Sequence, residues 1–166
     1  MTLTELNKAD SKSAGLFFRQ CCTSSIWADQ MVTGRPYKDG SHLRDYADYC
    51  WGGLSEVDYL EAFDGHPKIG DIESLKKKFD GSQDMARNEQ SSVAEANIET
   101  LDSLSLGNAE YEKKFGFIFI VFASGKSAEE MLNILEGRID NSRTEEIATA
   151  AEEQRLIFQL RLRNLL

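Results

Sequence analysis

The chain has 166 residues, of which 41% are hydrophobic and 28% are charged. This length predicts one domain over residues 1–166, and the composition is that of a globular protein rather than a disordered, collagen-like or disulfide-rich one. Acidic residues outnumber basic ones by 28 to 19, which gives a formal net charge of −9. Binding to nucleic acid or to an anionic membrane requires clustered basic residues, so neither partner is expected.

The cysteines and the chain ends predict a cytoplasmic protein. The chain has three cysteines, at positions 21, 22 and 50, and no CxxC motif. An odd number of cysteines without this spacing is typical of reduced thiols. The first residues lack the basic and apolar regions of a signal peptide, and the last three are not a peroxisomal tripeptide. The longest strongly apolar stretch, residues 115–123, is too short to span a bilayer.

Helix signals follow one another along the chain and predict an all-α fold of roughly seven to nine helices. The first predicted helix covers about residues 12–22. Serines at 25, 41 and 55 begin three more, which end near glycines at 34, 52 and 65. Further helices are predicted at about 71–79, 83–104 and 107–115. Ser127 and Ser142 each precede a glutamate by three residues, the spacing of a capping box.

The one β-like stretch is the sequence FIFIVF at residues 117–122. It is aromatic and β-branched, but no second stretch alternates convincingly, so a strand would have no sheet to join. We therefore expect an extended apolar segment or the start of a helix here.

The last predicted helix carries an apolar stripe, and Arg161 lies near it. At about 100° per residue, Arg161 falls roughly 60° from the centre of the stripe. An inward-facing guanidinium needs a partner, because an unpaired buried charge is costly. Arg161 is therefore either a structural ion pair, an arginine favoured by the helix dipole, or a ligand-binding group. The stripe consists of Ile147, Ala151, Phe158, Leu162 and Leu165.

His66 is the better placed of the two imidazoles. Gly65 before it can adopt a left-handed conformation, and Pro67 after it forces an extended backbone. The imidazole is therefore expected at a fixed turn, suited to chemistry. A loop histidine that merely ends a helix would have the same pattern.

Glu89 is the candidate acid or base, because it shares a predicted helix face with Met85 and Val93. A carboxylate on an apolar face suits a shifted pKa, although exposed helical glutamates are far commoner. No metal site is expected, because the HExxH and CxxC motifs that bind metals are absent. The sequence also lacks the P-loop of nucleotide-binding proteins and the GxSxG elbow of serine hydrolases.

Three groups of residues occur in an order that resembles the OHCU decarboxylase family. They are HPKIG at 66–70, Glu89-Gln90, and KFGFIFI at 114–120. Enzymes of this family act on 2-oxo-4-hydroxy-4-carboxy-5-ureidoimidazoline, an unstable intermediate between urate and allantoin. The resemblance covers nearly the whole chain and includes Trp51 and the closing LRL at 160–162.

The resemblance implies an all-helical homodimer that converts this intermediate to (S)-allantoin without a metal or organic cofactor. It also implies catalytic roles for His66, Glu89 and Arg161. The residues implied to bind the substrate are Pro67, Ala86, Glu89, Gln90, Ile120, Val121, Phe122, Ala123 and Ser124.

Two departures from the family pattern and two alternative functions stay open. Ala86 replaces the serine of the family's SxxEQ motif, and Ser124 stands where some members have arginine.

The first alternative function is a non-catalytic acidic helical module that docks a partner through residues 117–122. The second is a lyase or hydrolase that acts on a related ureide.

Overall fold

A computed structural model describes residues 1–66 and 90–165 of the chain, with the backbone alone for 90–97 and 165. These residues contain eight helices and no strand, so the predicted all-α fold is confirmed. The helices are α1 Leu3–Lys8, α2 Ser11–Cys21, α3 Ser25–Thr33, α4 Gly40–Gly52, α5 Glu56–Asp64, α6 Gln90–Phe115, α7 Ala128–Arg138 and α8 Arg143–Leu165.

Short polar side chains begin the helices, as the sequence predicted. Ser127 and Glu130 form the predicted capping box, in which each side chain accepts from the other residue's backbone N–H. Ser142 and Glu145 do the same at the start of α8. Such caps satisfy N–H groups that have no partner within the helix.

Two details of the prediction differ from the structure. Helix α1, which begins with a capping box of Thr2 and Glu5, was not predicted. The predicted break before residue 107 is wrong, because α6 runs without interruption from Gln90 to Phe115. A Cβ at Gly107 would come within 2.8 Å of Leu135 Cδ2, so this glycine permits α7 to approach closely. The predicted helix at 71–79 lies outside the described residues.

The chain divides into two compact units, Met1–His66 with Ile147–Leu166 and Pro67–Glu146. Helix α8 begins in the second unit and continues through the first.

Aromatic rings fill the core of the first unit, where α3 packs against α2, α4 and α5. The Trp27 ring lies 6.1 Å from Phe18 and 4.9 Å from Phe158 between centroids. Trp51 Nε1 donates to the Ala151 carbonyl at 3.1 Å, which joins α4 to α8. The apolar stripe predicted for α8 is confirmed at Ile147, Ala151, Phe158 and Leu162, all of which are buried.

The second unit packs α6 against α7 around Tyr111. The Tyr111 ring lies 5.8 Å from Phe117 and 5.2 Å from Phe119, both in the FIFIVF stretch. Residues 118–123 are neither helix nor strand, and Phe117, Phe119, Ile120 and Val121 are buried. The β-like pattern therefore marks an extended core segment, as expected.

No helix in the described ranges is both long enough and apolar enough to cross a membrane.

Candidate active site

His66 lies in the turn that ends α5. Its backbone N–H donates to the Phe63 carbonyl at 3.1 Å, and its side chain is half-buried. Gly65, the C-cap of α5, has φ −74°, so the left-handed conformation that glycine permits is not used here. The predicted turn is confirmed, but the reason for its glycine must lie elsewhere.

That reason is the contact between Gly65 and Thr23. A Cβ at position 65 would lie 2.0 Å from Thr23 Oγ1. Thr23 Oγ1 in turn donates to the Ala62 carbonyl at 3.2 Å, and the Glu61 carboxylate accepts from the Ser25 N–H at 2.9 Å. The end of α5 is thus held against the loop between α2 and α3, and only glycine fits the contact.

The imidazole of His66 contacts Gln154, a residue of α8 that was not among the predicted site residues. His66 Nε2 lies 2.5 Å from Gln154 Oε1, and Gln154 is 0% exposed. The Gln154 amide nitrogen is buried without a hydrogen-bond partner in the described residues. Gln154 follows Ala151 by three residues and precedes Phe158 by four. This spacing places it on the buried face, and was the signal that could have found it.

Arg161 reaches the end of α2, where its Nη1 donates to the Cys21 carbonyl at 3.0 Å. Among the residues that the structure describes, the guanidinium therefore binds a backbone carbonyl rather than the carboxylate of a structural ion pair. Burial raises the pKa of Cys21 to about 12 and that of Cys22 to about 11, while the charge of Arg161 opposes both shifts. All three cysteines are free and buried, so Cys21 and Cys22 are protonated packing residues rather than nucleophiles.

The structure brings the surroundings of His66 and Arg161 to the same place. The Gln154 side chain interacts with Cys22, and Arg161 binds Cys21. Both predicted site residues are thereby connected to the last residues of α2. The predicted residues Pro67, Ala86 and Glu89 lie outside the described part of the chain, and only the backbone of Gln90 is described.

The predicted substrate-binding segment, residues 120–124, is held within the second unit by two cations. Arg138 Nη1 donates to the Ile120 carbonyl at 2.8 Å, and Lys126 Nζ donates to the Phe122 carbonyl at 2.6 Å. Ile120 and Val121 are buried, Phe122 and Ala123 are half-buried, and Ser124 is exposed.

A buried ion pair fixes Arg138 itself. Arg138 Nε donates to Glu146 Oε1 at 2.7 Å, and the hydroxyl of Tyr111 donates to the same oxygen. Arg138 is 7% exposed, and Glu146 and Tyr111 are 0% exposed. Burial raises the pKa of the Tyr111 hydroxyl, so it remains a donor. The carbonyl of Ile120 is therefore held by a fully bonded polar cluster.

No group of three or more metal-ligating side chains occurs in the described ranges. A cavity of about 550 Å³ opens in the first unit, and none of the predicted site residues lines it. Its lining residues are Gln30, Tyr46, Asp48, Tyr49, Cys50, Gly52 and Gly53.

Comparison with known proteins places these features in one family. The family model described as OHCU decarboxylase matches residues 7–163. The uric acid degradation bifunctional protein TTL of Arabidopsis thaliana is 35% identical over 148 residues, which are 89% of this chain and 46% of that protein. The chain thus spans about half the length of this plant relative. The 2-oxo-4-hydroxy-4-carboxy-5-ureidoimidazoline decarboxylase of Haloferax volcanii is 26% identical, over 98% of this chain and 94% of that protein.

Solved structures agree with the sequence comparisons. The crystal structure of an OHCU decarboxylase in the presence of (S)-allantoin has a TM-score of 0.73 and is 32% identical. The match covers 95% of this chain and 98% of that one. An (S)-allantoin synthase structure has a TM-score of 0.69 at 18% identity, over 99% of this chain and 54% of that one, which is a likeness of fold. The chain belongs to the OHCU decarboxylase family.

Proposed function

We propose that the chain decarboxylates 2-oxo-4-hydroxy-4-carboxy-5-ureidoimidazoline to (S)-allantoin in urate breakdown. The observation that carries the proposal is the family match over residues 7–163, which spans the turn of His66, the extended segment and the last helix. The 32% identity to an OHCU decarboxylase crystallised in the presence of (S)-allantoin supports the same substrate class.

The reaction sets two requirements for the protein. The substrate carries a carboxylate and a hydroxyl on one ring carbon beside a C=N bond. When carbon dioxide leaves, its bonding electron pair moves into the C=N bond, so the protein must stabilise negative charge. A proton must then reach one face of the ring, because only one enantiomer is formed. These requirements call for hydrogen-bond donors and for a proton-transfer group with a fixed position.

His66 and Arg161 supply these two functions in the proposal. His66 exchanges a proton with the substrate, because an imidazole changes its protonation state near neutral pH. The turn held by Gly65 and Thr23 fixes which face of the substrate the imidazole meets. Arg161, which is half-exposed beside Cys21, binds a carboxylate or carbonyl with its planar guanidinium.

The remaining contacts of the proposal follow from the family resemblance. Glu89 holds the ring hydroxyl or orients His66, and Gln90 binds the polar ureido group. The site is completed by Pro67 and by the backbone of residues 120–124, which are Ile120, Val121, Phe122, Ala123 and Ser124. Ala86 lacks the hydroxyl of the family serine, and this removes one hydrogen bond to the substrate without removing a reacting group.

We further propose that the chain works as a cytoplasmic homodimer of one domain per subunit, without a metal or an organic cofactor. The family resemblance supports the dimer and the absence of a cofactor, and the three free cysteines support a reducing compartment. Light scattering coupled to gel filtration tests it, since a dimer has twice the 18.7 kDa mass of one chain. A mass of 18.7 kDa at micromolar concentration would contradict the dimer.

The competing binding-module function is disfavoured by the burial of its docking segment. A docking surface must be accessible, but Phe119 is 4% exposed and Ile120 is 2% exposed. These residues serve as core in the second unit.

One assay tests the proposed activity. The urate-derived intermediate is generated freshly and added to the protein, and carbon dioxide release is followed together with the optical activity of the allantoin. We expect faster carbon dioxide release than in buffer and a single enantiomer of the product. Release at the buffer rate with racemic allantoin would contradict the proposal.

A further inference from the structure

Gln154 is built into the first unit in a way that serves His66. Its amide is 0% exposed, and its Oε1 lies 2.5 Å from His66 Nε2. A buried polar side chain is costly unless it is hydrogen-bonded. The position three residues after Ala151 and four before Phe158 would suit an apolar residue equally well. A glutamine here therefore points to a role beyond packing.

The oxygen of the Gln154 amide is the end that faces the imidazole. Oε1 is the atom that lies 2.5 Å from His66 Nε2, whereas the amide nitrogen is buried without a hydrogen-bond partner in the described residues.

An amide oxygen carries no proton and can only accept a hydrogen bond. The nitrogen of His66 that faces it must therefore be protonated, whether the ring is neutral or positively charged. In the neutral imidazole, one nitrogen carries the proton and the other carries the lone pair. A proton fixed on Nε2 leaves Nδ1 as the basic nitrogen.

We propose that Gln154 is a positioning residue that keeps His66 in its Nε2-protonated tautomer, so that His66 exchanges protons with the substrate through Nδ1. This inference rests on the proposed function for its catalytic consequence, but its claim about the tautomer does not. In the step concerned, Nδ1–H of the imidazolium gives its proton to the carbon of the former C=N bond, next to the carbon that has lost carbon dioxide. The hydroxyl on that neighbouring carbon becomes a carbonyl, and its proton passes to the nitrogen of the former C=N bond, which carries the negative charge. The imidazole returns to its neutral form with Nε2–H still bound to Gln154, so charge and protons balance.

The tautomer can be measured without substrate. The chain contains only two histidines, His42 and His66, so the ring nitrogens of ¹⁵N-histidine-labelled protein can be assigned by comparison with a His42→Gln variant. We expect neutral His66 to show a protonated Nε2 and an unprotonated Nδ1. In Gln154→Met, which keeps the volume but loses the strong acceptor, we expect a mixture of tautomers. A protonated Nδ1 in the native protein, or an unchanged tautomer in Gln154→Met, would overturn the proposal.

Kinetics separate positioning from packing. Gln154→Met should lower kcat by about 10- to 100-fold with little change in KM, the size of effect typical of a residue that orients a functional imidazole. Gln154→Glu restores an acceptor, so it should recover much of that kcat even though a buried carboxylate destabilises the fold. A packing role predicts the opposite order, with the more stable Gln154→Met variant also the more active one, and that order would overturn the proposal.

Gln159 provides the matched control on the same helix. It is also buried, but its amide donates to Asp48 Oδ1 at 2.7 Å and to the Arg44 carbonyl at 3.0 Å. Gln159→Met should lower stability while leaving the His66 tautomer and kcat unchanged. If the native tautomer is Nε2–H but no decarboxylation occurs, the tautomer claim stands and the proposed function fails. If Gln159→Met changes the tautomer as much as Gln154→Met does, the assignment to Gln154 fails.

Discussion

At the scale of single residues, the chemistry of the proposed site depends on two side chains whose shapes are hard to replace. The His66 imidazole is held through Gln154, and the Arg161 guanidinium donates one N–H to the Cys21 carbonyl. That bond leaves other donors of the same planar group for a substrate, since guanidinium has five. Arg161 can therefore be anchored and bind a ligand at once, which a lysine ammonium does less well.

Arg161→Lys tests this view of the guanidinium. A hydrogen bond to a charged group contributes about 1.5–3 kcal/mol, so losing one from the substrate should lower kcat/KM by roughly 10- to 150-fold. Steady-state kinetics on the freshly generated substrate measure the loss. Arg163→Lys is the control, because Arg163 is exposed on the same helix. A similar kcat/KM for Arg161→Lys and the native protein would exclude Arg161 from substrate binding.

At the scale of elements, the turn after α5 is positioned by close packing rather than by an unusual backbone. Gly65 has an ordinary φ of −74°, yet a side chain there would overlap Thr23. Thr23 belongs to the short connection that follows Cys22, the residue beside Gln154. The loop between α2 and α3 thus supports both the backbone and the imidazole of the turn.

Gly65→Ala should displace the turn and with it His66. We expect a loss of about 1–3 kcal/mol in the free energy of unfolding, as for other overpacked sites, and a larger relative loss of kcat. Urea unfolding and the decarboxylation assay measure the two effects. Gly137→Ala is the control, since a Cβ there meets nothing within 4 Å, and alanine in a helix should be stabilising by up to about 1 kcal/mol. Equal activity of the two variants would show that the contact with Thr23 does not position the turn.

The second element that needs support is the extended segment, whose Ile120 carbonyl is bound by Arg138. Glu146→Gln would leave the buried Arg138 charge without its counterion, and breaking such a pair costs about 3–5 kcal/mol. Glu152→Gln removes a carboxylate from the more exposed pair with Arg155 and should cost no more than about 1 kcal/mol. Urea unfolding compares the two variants. Similar losses in both would show that the buried pair contributes little to stability.

The sequence was sufficient for the features that depend on local patterns. The capping box at Ser127, the buried stripe of α8 and the position of the turn at His66 were all predicted, because each depends on residues within one or two helical turns. The contacts between distant residues were not predictable in this way. The packing of Leu135 against Gly107 was not predicted, and a break was predicted at residues 105–106, within the continuous α6. Gln154 was overlooked because its partner is 88 residues away.

At the scale of the whole molecule, the proposed site draws on widely separated parts of one chain. His66 comes from a turn near the middle of the sequence, and Gln154 and Arg161 come from the last helix. Both connect to the end of α2 through Cys22 and Cys21. The apolar packing of α8 around Phe158 therefore maintains the arrangement of the site as well as the stability of the first unit.

The central claim is that His66 at this turn delivers the proton to one face of the substrate. The most direct test is the optical activity of the allantoin formed by the native protein and by His66→Ala. The variant leaves the Gln154 oxygen without its partner, so it should lose about 1–3 kcal/mol of stability and remain folded, which urea unfolding checks. We predict (S)-allantoin from the native protein, and racemic allantoin at the uncatalysed rate from folded His66→Ala. Optically pure (S)-allantoin formed at the native rate by His66→Ala would contradict the account.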